Sequence, residues 1–429
     1  MESENAVRTW VSDVCEQSHL EISKINFNKS EEWFFSEGGW LQHRSGRFFQ
    51  VAGVRWVGKD GVKLCQPIIV QQEVGILGFI LNDFQLLVQA KVEPGNVGAT
   101  QLAPTCQATA SNLQQIHSGK APLFSELFLS PCGNLLHDSM QSEQGSRFLG
   151  KFNRNMLLQT NVHRPLEPAY CWLPVDAVLE LAKADFLMNT DARSVMVCSP
   201  WEQLVKRSPF TRFTDSYSCE LADSFSTTST YQSLTDMYKT IHMLRSHIYP
   251  PELVRLDELD GWVMHDDAII SLKGRPFHVL QIDVRVDGRE VANWDQPMIS
   301  SAGNGYVELV CGRKDGILFF LFVFQIEVGL QNKVELGPTL LVEPGETISN
   351  CTYLSFPGAI ILTECQQSDE GGRFYHDISM YRMVDVGLVF EPPENGYWLT
   401  LSQISKLLRE GGWFTNEARS MLSLLLPWL

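Results

Sequence analysis

One stretch of the chain combines an amide, an ammonium and a carboxylate at a spacing that supports acid–base chemistry. In residues 88–93, apolar side chains alternate with Gln89, Lys91 and Glu93, as in a β-strand that has one apolar and one polar face. A carboxylate can transfer a proton, and a nearby ammonium can stabilise negative charge as it develops. The pattern therefore predicts an acid–base site on the polar face. The alternative is an ordinary ion pair on a solvated strand.

A polar loop follows this strand after Pro94 and Gly95, which end it. Residues 96–112 are rich in neutral hydrogen-bond donors and acceptors. Such a loop suits a polar ligand such as a sugar nucleotide, although the same side chains can instead satisfy the backbone of the loop. The candidate binding residues on the strand and in the loop are Gln89, Asn96, Thr105, Gln107 and Asn112.

Residues 141–155 form a second segment that is rich in charged and amide side chains. It contains Glu143, a second candidate acid–base residue whose alternative is a carboxylate on a surface loop. Asn153 and Asn155 lie two residues apart, the spacing that puts side chains on one face of a strand. This face is predicted either to bind a ligand or to be solvated.

The elements that must position these residues are short strands and a few helices. A helix is predicted from Pro174 to Ala184, because its apolar residues share a face and proline is tolerated in the first turn. The apolar patterns predict strands at 47–56, 67–70, 74–81, 88–93 and 155–159.

The order of these elements recurs in the second half of the chain. Three pairs of motifs share one offset, since the second member follows the first by 226 residues each time. Self-similarity at a fixed offset indicates two copies of one structural unit. The pairs are Arg147-Phe148 with Arg373-Phe374, Trp172-Leu173 with Trp398-Leu399, and Ala192-Arg193-Ser194 with Ala418-Arg419-Ser420.

The two copies differ where the chemistry is expected. In the alignment that pairs Gln89 with Gln325, Lys91 matches Glu327 and the carboxylate of Glu93 has no counterpart. We therefore expect the first copy to hold the working site, with Arg373 belonging to the second.

The repeat predicts an α+β protein of two homologous modules, each with mixed or antiparallel sheets and flanking helices. We predict an N-terminal helix and tether at 1–30, module 1 with the active site at 31–201, a helical connection at 202–257, and module 2 at 258–429.

Composition narrows the classes of partner. The 429 residues carry a formal net charge of −16, which argues against nucleic-acid or anionic-membrane surfaces because both need clustered Lys and Arg. An anionic substrate would need a local basic pocket. The N-terminal residues have no apolar signal segment, and the ten cysteines show no zinc-type spacing. These features predict a cytoplasmic protein with reduced thiols.

Four motifs carry a resemblance to a known family: QAKVEPGN (89–96), QLAPTCQATASN (101–112), QSEQGSRF (141–148) and FNRN (152–155). They closely resemble motifs of the NDP-hexose 2,3-dehydratases, and more narrowly of the dTDP-4-dehydro-6-deoxyglucose 2,3-dehydratases of deoxysugar biosynthesis. The resemblance extends over nearly the whole chain from about residue 30. It implies two Nudix-like modules per subunit and a homodimer. The Nudix metal box is missing from this sequence, which argues against diphosphate hydrolysis.

The resemblance implies loss of water from a dTDP-4-keto-6-deoxyglucose-type substrate. The C4 ketone acidifies the C3 proton and the C2 hydroxyl leaves, so that a 3,4-diketo-2,6-dideoxy sugar forms. No metal or other cofactor is expected, because the substrate ketone is the electron sink. Glu93, Lys91 and Glu143 are the expected catalytic residues. Arg147 and Arg154 are the expected diphosphate ligands.

The remaining candidates for substrate binding are the polar residues Gln89, Asn96, Thr105, Gln107, Asn112, Asn153 and Asn155. The competing interpretation is a non-catalytic protein that binds a nucleotide sugar through a Nudix-like fold.

Overall fold

A computed structural model of the chain describes residues 3–58, 63–113, 121–274, 276–287, 291–347 and 352–429. Its helices are α1 (Glu4–Ser18), α2 (Ala110–Leu113), α3 (Ser125–Leu129), α4 (Val175–Leu181), α5 (Thr190–Cys198), α6 (Trp201–Leu204), α7 (Ser216–Ser226), α8 (Leu234–Ser246), α9 (Leu401–Glu410) and α10 (Asn416–Leu422).

The strands of the first half are β1 (Glu21–Ile25), β2 (Trp33–Phe35), β3 (Leu41–His43), β4 (Gln50–Val57), β5 (Lys63–Val70), β6 (Gly75–Asn82), β7 (Gln85–Val92), β8 (Thr100–Ala103), β9 (Cys106–Ala108), β10 (Asn134–Ser142), β11 (Phe148–Leu149), β12 (Phe152–Gln159) and β13 (Tyr170–Pro174).

Those of the second half are β14 (Glu252–Val254), β15 (Trp262–Met264), β16 (Ala268–Ser271), β17 (Phe277–Arg285), β18 (Asn293–Ser301), β19 (Gly305–Lys314), β20 (Ile317–Ile326), β21 (Val334–Gly337), β22 (Leu340–Val342), β23 (Ile360–Ser368), β24 (Ile378–Leu388) and β25 (Gly396–Leu399).

Each half contains one large mixed sheet with the same strand order. In the first half the order is β10-β12-β6-β7-β13, with β8 on β7 and β9 on β6. In the second half β23-β24-β19-β20-β25 repeat it, with β21 on β20 and β22 on β19. One pair in each sheet, β12 with β6 and β24 with β19, is parallel, and the other pairs are antiparallel. The α+β class predicted from the sequence is confirmed.

The two smaller sheets exchange strands between the halves. Strand β1, in the predicted N-terminal tether, pairs with β17 of the second half. Strand β14, in the predicted connection, pairs with β4 of the first half. Each strand supplies backbone hydrogen bonds to a sheet of the opposite half, so the two halves are joined by more than the chain between them.

Two equivalent threonines show how the large sheets correspond. The Oγ1 atom of Thr105 donates a hydrogen bond to the carbonyl of Leu87, and Oγ1 of Thr339 donates to the carbonyl of Leu321 at 2.5 Å. Leu87 therefore corresponds to Leu321, two residues away from the register assumed in the sequence comparison.

The corrected register changes the comparison of the two polar faces. Lys91 corresponds to Gln325 and Glu93 to Glu327, because Lys91 pairs with Gln101 across the sheet as Gln325 pairs with Glu335. The prediction that Glu93 has no counterpart is wrong. The sequence comparison assumed the wrong register because the two halves differ in loop length. The pairing of residues across the strands gives the correct register.

The largest core lies between the large sheets and the helices that cover them. Helices α5 and α10 pack against each other at its centre, and Phe320 and Phe322 of β20 are fully buried there. The apolar run of β20 is thus covered on both faces, as a central strand needs. Among the described helices, none is long and apolar enough to cross a membrane. The nine cysteines in the described part of the chain are free thiols.

Candidate active site

The polar face of β7 opens into a cavity, and Lys91 and Glu93 form an ion pair there. The Nζ atom of Lys91 lies 3.1 Å from Oε1 of Glu93. Nε2 of Gln107 donates to the same oxygen at 3.1 Å, and Lys91 also donates to the carbonyl of Gln107. The Glu93 side chain is only 4% exposed, so this is not a pair on a solvated face.

Glu143 reaches the same cavity from the loop after β10. Its Oε1 accepts a hydrogen bond of 3.0 Å from Nδ2 of Asn153 on β12, and both residues line the cavity. Burial, with the nearby charge of Glu370, raises the pKa of Glu143 to about 7. A carboxyl with such a pKa can give or take a proton near neutral pH.

The second half of the chain supplies three charged residues to this cavity, Asp295, Glu370 and Arg373. The guanidinium of Arg373 lies 4.0 Å from the ring centre of Phe49, and Nη1 donates to the carbonyl of Gly372 at 2.7 Å. Sequence reasoning assigned Arg373 to the second module. The sequence signal for Glu370 and Arg373 was the motif QSDEGGRF at 367–374, which is a copy of QSEQGSRF. An interpretation with two separate modules could not predict that this copy reaches the cavity of the first half.

Lys151 and Asp191 complete the charged cluster, and neither was predicted. Nζ of Lys151 donates to the carbonyl of Glu73 at 2.6 Å, and burial lowers the pKa of Lys151. Asp191 lies in the first turn of α5, where burial, reinforced by the charge of Glu143, raises its pKa well above the usual range. The one local sequence feature that pointed to Lys151 was its position directly before the FNRN motif.

The cluster can transfer protons and also bind an anion. Raised pKa values keep protons on Glu143 and Asp191 near neutral pH. The lining of the cavity also contains three cationic side chains, Lys91, Lys151 and Arg373. Its other carboxylates are Glu32, Glu93, Asp295 and Glu370. The three cations are the groups with which this acidic protein can bind an anionic substrate.

Aromatic side chains form another wall of the cavity. Trp33 and His43 meet edge to face, as do His43 and Phe48. Trp294, from β18 of the second half, is half-buried at the same cavity. Flat apolar rings next to a cationic pocket can stack on a nucleobase while the cations bind phosphate.

Several predicted binding residues instead hold the fold together. Arg154 makes a two-pronged ion pair with Asp138 on the outer face of the sheet. Asn155 is fully buried and donates to Oγ of Ser194 at 2.7 Å. The hydroxyl of Thr105 donates a hydrogen bond to the carbonyl of Leu87 on β7, as described above.

Of the other predicted residues, some line the cavity and some do not. Asn96 is buried and donates to the carbonyl of Ala99, and Gln89 is half-buried on β7 away from the cavity lining. Gln107, Asn112 and Asn153 do line the cavity. Three of the nine predicted binding residues thus reach it.

Arg147 lies in a second cavity that is the counterpart of the first. Its guanidinium pairs with Glu343 at 2.8 Å and lies 4.1 Å from the ring centre of Phe277. Gln325 and Glu327 also line this cavity.

Both lysines of the first cavity are replaced in the second half of the chain. Gln325 corresponds to Lys91, and Asp377 corresponds to Lys151, because the backbone bond from Glu143 to Lys151 recurs between Asp369 and Asp377. The second half therefore carries no cation at either position. In the described part of the chain, no three His, Cys, Asp or Glu side chains are arranged to hold a metal ion.

Comparison with known proteins finds relatives that match over nearly the whole chain. The chain is 33% identical to a dTDP-4-dehydro-6-deoxy-alpha-D-glucopyranose 2,3-dehydratase of Streptomyces violaceoruber, covering 96% of this chain and 95% of the relative. Relatives with the same name in Saccharopolyspora spinosa and Amycolatopsis orientalis are 33% and 32% identical, over 97% of this chain and 90% and 89% of theirs.

A solved structure of an ADP compounds hydrolase is 19% identical over 36% of this chain and 87% of its own, with a TM-score of 0.25. That likeness is too slight to decide the fold type of each half. The family model for NDP-hexose 2,3-dehydratase matches residues 4–199 and 242–425. The chain therefore belongs to the NDP-hexose 2,3-dehydratase family.

Proposed function

We propose that this protein removes water across C2 and C3 of a dTDP-4-keto-6-deoxyhexose, giving a 3,4-diketo-2,6-dideoxy sugar. The relatives named above support the substrate class. The observation that carries the proposal is the buried cluster in which Glu143 has a pKa of about 7 beside Lys91 and Arg373. A β-elimination next to a ketone needs these elements: proton transfer at C3 and C2, and positive charge near the developing enolate oxygen.

Lys91 is the proposed partner of the enolate at O4. Its ammonium is fixed by Glu93 and by the carbonyl of Gln107, so it is preorganised before charge develops. Glu93 acts with Lys91 as a pair that holds this ammonium in place. Glu143 transfers a proton, supported by its raised pKa and by the hydrogen bond from Asn153.

Arg373 and Lys151 are the proposed ligands of the diphosphate. In the described residues neither forms a salt bridge, and Nε of Arg373 is buried without a hydrogen-bond partner. An unpartnered cationic donor in a cavity favours an anionic ligand. Gln107, Asn112 and Asn153 are proposed to bind the sugar, and Trp294 to stack on the base.

We also propose that the two halves arose by internal duplication of a Nudix-like unit, which the shared strand order and register support. The homodimer and the cytoplasmic location expected from the sequence stay predictions. Gel filtration with light scattering tests the dimer directly.

The test of the function is incubation of the purified protein with dTDP-4-keto-6-deoxyglucose. The expected product has lost one water, and its vicinal diketone condenses with o-phenylenediamine to a quinoxaline that mass spectrometry detects. Substrate recovered intact in the presence of stoichiometric protein would overturn the proposal. A Lys91→Met/Glu143→Gln double variant is the control for non-enzymatic elimination.

A further inference from the structure

We propose that Glu370, carried by the second half of the chain, is the base that removes the C3 proton, and that Glu143 is the acid that protonates the departing C2 hydroxyl. This inference rests on the proposed function. It assigns opposite proton-transfer roles to two carboxylates from different halves of the chain.

The backbone holds Glu370 firmly against the end of β7. The amide of Gly95 donates to the carbonyl of Gly371 at 2.8 Å, and the amide of His376 donates to the carbonyl of Gly95 at 3.0 Å. These two bonds fasten the loop between β23 and β24 to the residues that follow Lys91 and Glu93. The backbone of the loop that carries Glu370 is thus held next to the end of β7.

Glu370 and Glu93 face the same small space. A methyl group added to Gly372 would lie 2.5 Å from Oε1 of Glu370 and 3.8 Å from Oε1 of Glu93. Because Gly372 has no side chain, the two carboxylates can approach this position from different halves of the chain. Glu370 is half-buried, which leaves its oxygens accessible from the cavity.

The charges around the two carboxylates differ. Burial raises the pKa of Glu370, and the charge of Glu93 adds to this shift, while Arg373, Lys91 and Lys151 act against it. The charge of Glu370 is in turn the second cause of the raised pKa of Glu143. The three cations near Glu370 suit the role of a base, and the negative charge of Glu370 favours the protonated form of Glu143, which suits the role of an acid.

The repeat offset shows that this pair of carboxylates is not duplicated. Asp369 is equivalent to Glu143 and Gln144 to Glu370, and the Gln144 side chain hydrogen-bonds to the Asp369 carboxylate. The equivalence indicates that Glu143 and Glu370 occupy neighbouring positions. It also shows that an amide at the position of Glu370 is compatible with this loop.

The proposed steps balance without an external proton or electron. Glu370 takes the C3 proton, and the C3–H electron pair forms the enolate with its charge on O4. The enolate collapses, the C2–O bond breaks, and Glu143 gives its proton to the leaving hydroxyl, so water and a C2=C3 enol result. In the tautomerisation Glu370 returns its proton to C2, and Glu143 takes the O3 proton. Both residues regain their starting states.

The experiment compares Glu370→Gln and Glu143→Gln with the wild type in D₂O, with NMR following exchange at C3 and mass spectrometry following dehydration. Glu370→Gln is expected to lose both C3 exchange and dehydration by about 10²–10⁴-fold. Glu143→Gln is expected to lose dehydration to a similar extent while still exchanging the C3 proton. A reaction without protein measures background exchange.

A matched control is Asp369→Asn, on the same loop, because the neighbours that act on the pKa of Asp369 include Asp377, Glu417 and Glu343 around the second cavity. This variant is expected to keep both rates within about threefold. Unchanged melting temperature and unchanged dTDP binding by calorimetry establish that Glu370→Gln is folded.

Dehydration by Glu370→Gln near the wild-type rate would overturn this inference while leaving the proposed function intact. Loss of C3 exchange in Glu143→Gln but not in Glu370→Gln would also overturn it, since it would reverse the roles. A wild-type protein that does not dehydrate the substrate would instead refute the proposed function itself.

Discussion

Arg147 and Arg373 occupy equivalent positions in the two halves, yet each guanidinium lies in the cavity of the opposite half. Arg373 lies over Phe49 of the first half, and Arg147 lies over Phe277 of the second. Each cavity therefore needs both halves of the chain. The exchange of β1 and β14 between the small sheets reinforces this dependence.

The two arginines make a matched pair of variants. Arg373→Gln is expected to raise KM for the nucleotide sugar about 10- to 100-fold, because a charge-assisted hydrogen bond contributes about 1.5–3 kcal/mol. Arg147→Gln is expected to leave KM within about threefold and to lower the melting temperature, because Glu343 loses its partner. Steady-state kinetics and calorimetry measure both effects. Equal effects of the two variants on KM would show that both cavities bind substrate.

Replacement of Lys91 tests the proposed enolate partner. Lys91→Gln introduces the residue that the second half carries at Gln325, so the strand is expected to tolerate it. The rate constant kcat should fall about 10²–10³-fold, as when one oxyanion donor is removed. Binding of dTDP should change little if Lys91 acts at the ketone. A large loss of dTDP affinity with unchanged kcat would instead make Lys91 a phosphate ligand.

Gly95 is expected to tolerate no side chain. A Cβ at this position would collide with the carbonyl oxygen of Phe374, a backbone atom that cannot move alone. Gly95→Ala should therefore lower the free energy of unfolding by about 1–3 kcal/mol or more and reduce kcat at least tenfold, because the loop that carries Glu370 is displaced. The control is Gly38→Ala, whose Cβ would lie 3.6 Å from Oγ of Ser36, an ordinary contact.

The raised pKa of Glu143 predicts the pH dependence of activity. If protonated Glu143 is the working acid, kcat/KM falls tenfold per pH unit above about pH 7. The groups that act on Glu143 are Glu370, Arg419, Lys151 and Asn153. A pH–rate profile from pH 5.5 to 9 measures this. A profile that rises through pH 7 would indicate that Glu143 works as the base.

The same shift has a consequence for stability. The pKa of Glu143 is higher in the folded state, so its proton favours folding at low pH, and this contribution is lost as the pH rises from its usual pKa of 4.5 to about 7. Glu143→Gln cannot lose a proton. Its melting temperature relative to the wild type should therefore rise between pH 5 and pH 7 and level off above. A constant difference across this range would contradict the shift.

Local sequence pattern predicted part of the geometry of the candidate site. The period of two in residues 88–93 predicted the buried apolar face and the joint position of Lys91 and Glu93. It also predicted that Asn153 and Asn155 share a face, as they do. Pattern alone could not show that α5 covers the Asn155 end of that face, where Ser194 binds the amide, while the Asn153 end stays open to the cavity.

The sequence by itself determined the α+β class, the family, the joint position of Lys91 and Glu93, and the choice of Glu143 as a candidate acid–base residue. These depend on residue type and on spacing within one element. Tertiary structure alone decided that Glu370 and Arg373 join that pair and that Arg147 does not. The physical reason is that the loop after β23 is fastened to Gly95 by backbone hydrogen bonds across the two halves. Residues 93 and 370 meet through that contact, and no local period in the chain encodes it.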